Sequence, residues 1–203
     1  MKLAWISGWA VPDGWFAAQA RAVWPEAEHA VVPAGPGAMD ALERIAAEGT
    51  LDMVGGYSLG SHLLLAEAER VGRLAAGVVL LAPVFAFARE EALGGRSGRT
   101  HVRYMRRWLR TDPLSALRDF YLRAGLDIAP GDEPAADGLD WGLEVLERGR
   151  INPPAPAGWR LFCGEVDDLL SPAELCAVAP NAVIVPGACH HPGALLRAAR
   201  LAG

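Results

Sequence analysis

The feature that most constrains the fold is the apolar run AAGVVLLAPVF at residues 75–85, which contains no polar side chain. Such a run is typical of a strand that is covered on both faces. Five further short apolar runs alternate with helical patterns, and this alternation predicts a parallel sheet with helices on both faces. The predicted strands lie at 2–7, 29–34, 51–58, 75–85, 159–165 and 181–188, and the predicted helices at 14–24, 38–49, 59–71 and 192–202.

Residues 86–150 interrupt this alternation between the fourth and fifth strands, and no strand is predicted within them. They contain helical patterns at 99–110, 113–125 and 139–149. Asp112-Pro113 separates the first two patterns, and a polar loop at 127–138 separates the last two. We therefore predict a single domain over residues 1–203, in which a helical lid at 86–150 caps the sheet.

The composition narrows the class of protein. The 203 residues are 52% hydrophobic and carry a net charge of −5, which gives no electrostatic basis for binding nucleic acid or an anionic membrane. Cys163, Cys176 and Cys189 form neither a disulfide framework nor a zinc-binding pair, so we expect a reducing compartment and no metal. The sequence predicts neither a signal peptide nor a membrane span. We expect a cytoplasmic protein without a cofactor.

The third predicted strand ends in the motif Gly56-Tyr57-Ser58-Leu59-Gly60, and a helical pattern follows it. A G-x-S-x-G motif between a strand and a helix is typical of a sharp turn that exposes the serine at the carboxyl end of the sheet. A glycine-rich bend without a chemical role is the alternative. A serine hydroxyl is a poor nucleophile alone and needs both a base and a group that orients the base.

Candidates for these partners follow two later strands. The loop GEVDDLLSP offers Asp167 or Asp168, and the loop GACHHPG offers His190 or His191. Both loops are expected at the same edge of the parallel sheet as Ser58, where open α/β folds place their sites. The order serine, acid, histidine favours a catalytic triad over a helix-capping aspartate and a surface histidine.

Two backbone amides are candidates for stabilising the oxyanion that forms when a serine attacks a carbonyl. One belongs to Leu59, the residue after the nucleophile, and the other belongs to Trp9 in the loop that follows the first strand. The sequence therefore predicts a complete set of groups for acyl transfer.

These stretches resemble the α/β-hydrolase superfamily, and more closely the pimeloyl-acyl-carrier-protein methyl ester esterases of biotin synthesis. The resemblance rests on SGWAVPDGWF, GYSLGSHLLL, GLEVLERGRI, LFCGEVDDLLSP and VPGACHHPG. It implies the α/β-hydrolase fold, with a mostly parallel six-stranded sheet and a helical lid. It also implies a nucleophile, an orienting acid, a base and two oxyanion donors, in that order at Ser58, Asp167, His190, Trp9 and Leu59.

The lid is rich in arginine, although the protein has only 19 lysines and arginines in all. The resemblance implies that lid arginines hold an acyl carrier protein, whose acidic surface would be steered and oriented by them. The alternative is a solvated helix face whose arginines pair with neighbouring acids such as Asp112 and Asp119. The candidate carrier-binding residues are Arg103, Arg106, Arg107, Arg110, Arg118 and Arg123.

The function that the resemblance implies is a serine carboxylesterase that hydrolyses the methyl ester of pimeloyl-acyl-carrier protein. One alternative is a general small-ester or acyl-thioester hydrolase that uses the same triad. The other is a non-catalytic protein of this fold that binds a ligand or a partner. The presence of Ser58, Asp167 and His190 together argues against the second alternative.

Overall fold

The computed structural model describes residues 1–129, 131–134 and 138–202, so part of the polar loop predicted at 127–138 lies outside the described residues. The six-stranded sheet predicted from the sequence is confirmed, and every pair of neighbouring strands in it is parallel. The strands along the described chain are β1 (Lys2–Ile6), β2 (Glu28–Val32), β3 (Leu51–Tyr57), β4 (Ala75–Leu81), β5 (Ala86–Ala88), β6 (Gly94–Ser97), β7 (Arg160–Gly164) and β8 (Val183–Val185). The order in the main sheet is β2-β1-β3-β4-β7-β8.

Helices connect the strands of this sheet and form the lid. Along the described chain they are α1 (Asp13–Val23), α2 (Ala38–Ala47), α3 (Leu59–Ala66), α4 (Ala68–Val71), α5 (Arg99–Thr111), α6 (Pro113–Ala124), α7 (Leu139–Arg148), α8 (Pro172–Val178) and α9 (Pro192–Leu201). The lid helices α5, α6 and α7 therefore lie where the sequence predicts them. No described helix is long and apolar enough to cross a membrane.

The expectation that residues 86–150 contain no strand is wrong. Strands β5 and β6 form a separate two-stranded parallel sheet at the start of this segment. They have only three and four residues, and the glycines of β6 disfavour a strand locally. Long-range backbone hydrogen bonds hold β6 instead: Arg96 donates to the Leu169 carbonyl at 3.0 Å, and Ser171 donates to the Gly94 carbonyl at 2.7 Å.

Two helical features also differ from the sequence prediction. The helix predicted at 59–71 is interrupted at Glu67, where the chain leaves helical geometry between α3 and α4. Helix α8 was not predicted at all. Its start can nevertheless be recognised in the sequence, because serine is a favoured N-cap residue and Pro172 follows Ser171. In the structure, the Glu174 backbone amide donates to the Ser171 hydroxyl at 3.4 Å.

The sheet and the lid share one hydrophobic core. Trp5, Tyr57 and Phe162 from the main sheet are among its largest buried side chains, and Met105 and Leu143 extend the same cluster into the lid. Burial of apolar surface is the main favourable contribution to folding, so the lid is stabilised by packing on the body of the protein. This packing places the lid helices over the carboxyl edge of the sheet.

Candidate active site

Ser58 lies at the turn between β3 and α3, with backbone angles of φ 52° and ψ −114°. A positive φ is uncommon for a residue with a side chain and costs roughly 1–3 kcal/mol. The turn also needs Gly60, because a Cβ there would come within 2.1 Å of the Ile6 carbonyl oxygen on β1. The motif therefore folds as the strained strand-to-helix turn that its sequence predicts.

A second serine holds this turn in place. The Ser61 hydroxyl donates to the Ser58 carbonyl at 2.5 Å and accepts from the Val84 amide at 3.0 Å. The Ser58 amide itself donates to the Leu81 carbonyl at the end of β4, at 2.9 Å. The backbone around Ser58 is thus fixed from two sides. The role of Ser61 was not identified from the sequence, although its position three residues after the nucleophile places it on the same first helical turn.

The structure brings Ser58, His190 and Asp167 into one hydrogen-bonded array. His190 Nε2 lies 3.0 Å from Ser58 Oγ, and His190 Nδ1 lies 2.7 Å from Asp167 Oδ2. With a neutral imidazole, the Ser58 hydroxyl donates to Nε2 and the Nδ1 proton is donated to the carboxylate. The three side chains are between 0% and 4% exposed, so this array is shielded from bulk water.

The hydrogen bonds around Asp167 favour the ionised form of its carboxyl group. Its Oδ1 accepts hydrogen bonds from the backbone amides of Leu169 at 2.8 Å and Leu170 at 2.9 Å. Burial by itself raises the pKa of this carboxyl, but His190 and the two amides outweigh it, and the resulting pKa is below the ordinary value of 3.8. A carboxylate at neutral pH can hold His190 in the tautomer that accepts a proton at Nε2.

The backbone of the histidine is held by Tyr57, which precedes the candidate nucleophile. The Tyr57 hydroxyl donates to the His190 carbonyl at 3.0 Å, and its side chain is 1% exposed. Burial raises the pKa of Tyr57 well above its ordinary value, so it stays a protonated donor. Sequence analysis missed this residue, and the only available signal was a hydroxyl-bearing side chain at the variable position before Ser58.

The alternative residues Asp168 and His191 are not part of the hydrogen-bonded array. The Asp168 side chain is exposed. His191 is the N-cap residue of α9, and its Nδ1 accepts from the Gly193 amide at 3.0 Å. Its Nε2 lies 3.2 Å from Asp127 Oδ1. His191 therefore caps a helix, while the adjacent His190 faces Ser58.

The amides of Trp9 and Leu59 are available to a ligand. Neither donates a hydrogen bond to any acceptor within the described ranges. The Leu59 amide belongs to the first residue of α3, where helical amides have no partner inside the helix. Both residues are nearly fully buried, so a negatively charged oxygen at these amides would be held in a weakly screened environment.

The lid lies directly on these two residues. A Cβ added to Gly142 on α7 would come within 2.5 Å of Trp9 Cδ1 and 3.0 Å of Leu59 Cδ2, so only glycine allows this approach. The Trp9 indole also donates to the Leu139 carbonyl at 2.9 Å, and its ring meets Phe120 edge-on at a centroid distance of 4.7 Å. Helices α6 and α7 therefore pack directly on the two proposed oxyanion residues.

Most of the candidate carrier-binding arginines form ion pairs within the chain. Four of the six lie within 4.0 Å of a carboxylate: Arg103 with Glu147, Arg106 with Asp140, Glu144 and Glu147, Arg110 with Asp140, and Arg118 with Glu133. The acids that pair with Arg103, Arg106 and Arg110 come from α7 rather than from Asp112 or Asp119. For Arg107 and Arg123, no carboxylate of the described chain lies within 4.0 Å. Arg107 is exposed, whereas Arg123 is half-buried and contacts His101.

A narrow cavity lies among the lid helices α5, α6 and α7, strands β5 and β6, and the residues Trp9 and Leu169. The centre of a water molecule reaches only about 30 Å³ of its space. Trp9 connects the cavity with the proposed oxyanion site. No group of three or more histidine, cysteine, aspartate or glutamate side chains that could hold a metal ion is present in the described part of the chain.

Solved structures with a similar fold include an esterase, a deformylase and a lipase. A thermophilic esterase from Thermogutta terrifontis has a TM-score of 0.69 and 15% identity, over 99% of this chain and 88% of that chain. The N-formylmaleamic acid deformylase of Pseudomonas putida has a TM-score of 0.62 and 16% identity, over 99% and 90%. A monoacylglycerol lipase from Paleococcus ferrophilus has a TM-score of 0.55 and 18% identity, over 99% and 92%.

The sheet order, the turn at Ser58 and these structural neighbours define the α/β-hydrolase fold. No protein-family model matches the chain, and no curated protein matches it either. At identities of 15–18% the likeness extends to the fold alone, and the activity has to be inferred from this chain's own residues.

Proposed function

We propose that this protein is a serine carboxylesterase. The observation that supports the proposal most strongly is the hydrogen-bonded array of Ser58, His190 and Asp167 at a strained turn. Each member has the partner that acyl transfer requires: a base for the nucleophile and an ionised acid for the base. The unpartnered amides of Trp9 and Leu59 supply the donors for an oxyanion.

In the proposed mechanism, Ser58 Oγ attacks the ester carbonyl carbon while its proton passes to His190 Nε2. The carbonyl oxygen becomes an oxyanion and accepts hydrogen bonds from the Trp9 and Leu59 amides. Collapse breaks the bond to the alcohol oxygen, which leaves with the proton from His190. Water then attacks the acyl-enzyme, with His190 again taking the proton, and the acid leaves as Ser58 regains its hydrogen.

Covalent labelling tests this proposal. A fluorophosphonate probe should form one adduct, which peptide mass spectrometry locates on Ser58, and the Ser58→Ala variant should show none. The matched control is Ser115→Ala, which removes a hydroxyl on α6, keeps the nucleophile and its turn, and should still be labelled. Absence of labelling in the wild type, or labelling that persists in Ser58→Ala, would favour the non-catalytic binding protein.

For the substrate we propose the methyl ester of pimeloyl-acyl-carrier protein, with methanol as the leaving group. This proposal rests on the sequence resemblance and on a surface concavity that is lined by arginines of α5, namely Arg103, Arg106, Arg107 and Arg110. Such a surface suits an acidic carrier. The ion pairs of Arg103, Arg106 and Arg110 reduce the charge that is available, which leaves Arg107 as the one arginine of the set without a carboxylate of the described chain within 4.0 Å.

The carrier proposal is tested by charge reversal at Arg107. Arg107→Glu should lower the ratio of kcat/KM for the carrier-bound ester to kcat/KM for p-nitrophenyl acetate by about 10-fold, and added salt should shrink the difference. Arg73→Glu, an exposed arginine outside the lid, is the matched control and should leave the ratio unchanged. Brisk hydrolysis of p-nitrophenyl acetate without turnover of the carrier-bound ester would favour a general small-ester or acyl-thioester hydrolase.

A further inference from the structure

The cavity that Trp9 lines combines an apolar wall with a small polar group of residues. Eight of its eleven lining residues are apolar: Trp9, Phe87, Val102, Met105, Phe120, Leu143, Leu146 and Leu169. The other three are Ser97, His101 and Arg123, which come from β6, α5 and α6. A wall of this kind binds an apolar chain and fixes one polar group on it.

Arg123 is an arginine without an acidic partner at a mostly apolar cavity. No carboxylate in the described part of the chain lies within 4.0 Å of it, although its neighbour Arg118 on the same helix pairs with Glu133. Its guanidinium instead donates to Nε2 of His101. A half-buried cation beside apolar surface gains more from an anion than an exposed cation does, because its charge is less screened by water.

Ser97 and His101 complete the polar group around Arg123. Burial and the Arg123 charge lower the pKa of His101, against the opposing effect of Asp119, so His101 is neutral and accepts from Arg123 at Nε2. The Ser97 hydroxyl makes no hydrogen bond to another described residue, although the side chain is only 5% exposed. An anion in the cavity would therefore meet a guanidinium and a free hydroxyl donor.

We propose that this cavity binds the acyl part of the substrate, and that Arg123, assisted by Ser97 and His101, binds a carboxylate carried by that acyl chain. The preferred substrates are then half-esters, meaning linear dicarboxylic acids with one esterified and one free carboxyl group. The inference rests on the proposed ester hydrolysis at Ser58 and competes with the carrier proposal, because the far end of a carrier-bound acyl chain is an uncharged thioester and offers no carboxylate to Arg123. It assigns Arg123 to the inside of the lid rather than to a carrier-binding surface.

The small volume of the cavity favours a linear acyl chain over a branched one. The space reached by the centre of a water molecule is about 30 Å³, so even a slender acyl chain must displace the lid slightly, and a branched or ring-bearing chain must displace it more. Trp9 lines the cavity and also carries one proposed oxyanion amide. An acyl chain whose carbonyl carbon is bonded to Ser58 can therefore extend into the cavity along the Trp9 ring.

The test compares the monomethyl and dimethyl esters of linear diacids of four to eight carbons at pH 7.5. The quantity measured is the ratio of kcat/KM for the half-ester to kcat/KM for the diester of the same acid. The wild type should give a ratio of about 10–100 for its best acid, since a hydrogen bond to a charged group contributes that much discrimination. Because the ratio compares two substrates on one protein sample, partial misfolding of a variant does not change it.

Arg123→Gln should reduce this ratio to about 1, and Arg123→Lys should give an intermediate value, because the charge remains without the planar fork. The matched control is Arg96→Gln, because Arg96 is an exposed arginine adjacent to Ser97 that does not line the cavity. Arg96→Gln should retain the wild-type ratio. Calorimetric titration of Ser58→Ala with the preferred half-ester should detect binding, and the further change Arg123→Gln should weaken it about 10-fold or more.

Two results would overturn the inference: a wild-type ratio of 1 or less for every acid, or a ratio that Arg123→Gln leaves unchanged. Fluorophosphonate labelling separates these results from failure of the proposed function. If Ser58 is labelled and the ratio is 1 or less, the enzyme is an esterase without the carboxylate site. If Ser58 is not labelled, the proposed esterase activity itself fails.

Discussion

At the scale of single residues, the order of residues along the chain predicts the hydrogen-bonded triad, but it does not predict the other hydrogen bonds that hold the triad in place. Ser58, Asp167 and His190 follow one another along the chain in the expected order, so their meeting at one sheet edge was predictable from the strand pattern. The choice of His190 over His191 came from the resemblance, because both residues stand in the same loop. The hydrogen bond from Tyr57 to the His190 carbonyl spans 133 residues, and no local pattern indicates it.

The lowered pKa of Asp167 leads to a prediction about stability. A carboxyl whose folded-state pKa lies below its ordinary value of 3.8 stabilises the folded state at pH values above about 4. That contribution is lost as the pH falls from about 4 toward the lowered pKa. Asp167→Asn should therefore show a deficit in unfolding free energy that is largest above pH 5 and shrinks below pH 4, as measured by urea denaturation.

Asp168→Asn is the control for this measurement, since the adjacent Asp168 side chain is exposed. Its unfolding free energy should stay within about 0.5 kcal/mol of the wild type across the same range. A deficit in Asp167→Asn that keeps its full size down to pH 2 would contradict the assignment of the pH dependence to this carboxyl.

At the scale of elements, the long helices were predictable and the short elements were not. Helices α5, α6 and α7 have enough turns for their apolar spacing to emerge from sequence. Strands β5 and β6 are too short and too rich in glycine for such a pattern, and they depend on partners near residue 170. The ion pairs of Arg106 and Arg110 on α5 were missed for a related reason: the acid that they share, Asp140, lies on α7, 34 and 30 residues away.

The contact of α7 with the proposed oxyanion residues predicts the effect of Gly142→Ala. Helix propensity alone would make this change stabilising by up to about 1 kcal/mol. The added Cβ would lie 2.5 Å from the Trp9 ring, so we expect the lid to shift and the unfolding free energy to fall by about 1–3 kcal/mol. Displacement of Trp9 should also lower kcat for p-nitrophenyl acetate.

Gly14→Ala on α1 provides the matched control. A Cβ at Gly14 would meet no atom within 4 Å, so this substitution should be neutral or slightly stabilising in the same denaturation assay. If Gly142→Ala were as stable as Gly14→Ala and fully active, the close packing of α7 on Trp9 would not describe the protein in solution.

At the scale of the whole molecule, the lid and the sheet unfold together if they share one core. The buried cluster runs without a break from Trp5 and Phe162 to Met105 and Leu143, and the Tyr121 hydroxyl on α6 donates to the Ala10 carbonyl at 2.8 Å. We therefore expect a single thermal transition in scanning calorimetry, with a van't Hoff enthalpy equal to the calorimetric one and an enthalpy of about 140 kcal/mol near 60 °C. Two resolved transitions would show that the lid unfolds separately.

The attachment of β6 beside the acid has a consequence for attempts to exchange lids between hydrolases of this fold. The Leu169 carbonyl accepts from Arg96, while the Leu169 amide holds Asp167. A transplant that replaced the whole segment 86–150 would remove the hydrogen bond from Arg96 to the Leu169 carbonyl and leave the loop of Asp167 without this support. The transplanted lid should instead begin after Ser97, so that the recipient protein keeps β6 and its hydrogen bond to the loop of Asp167.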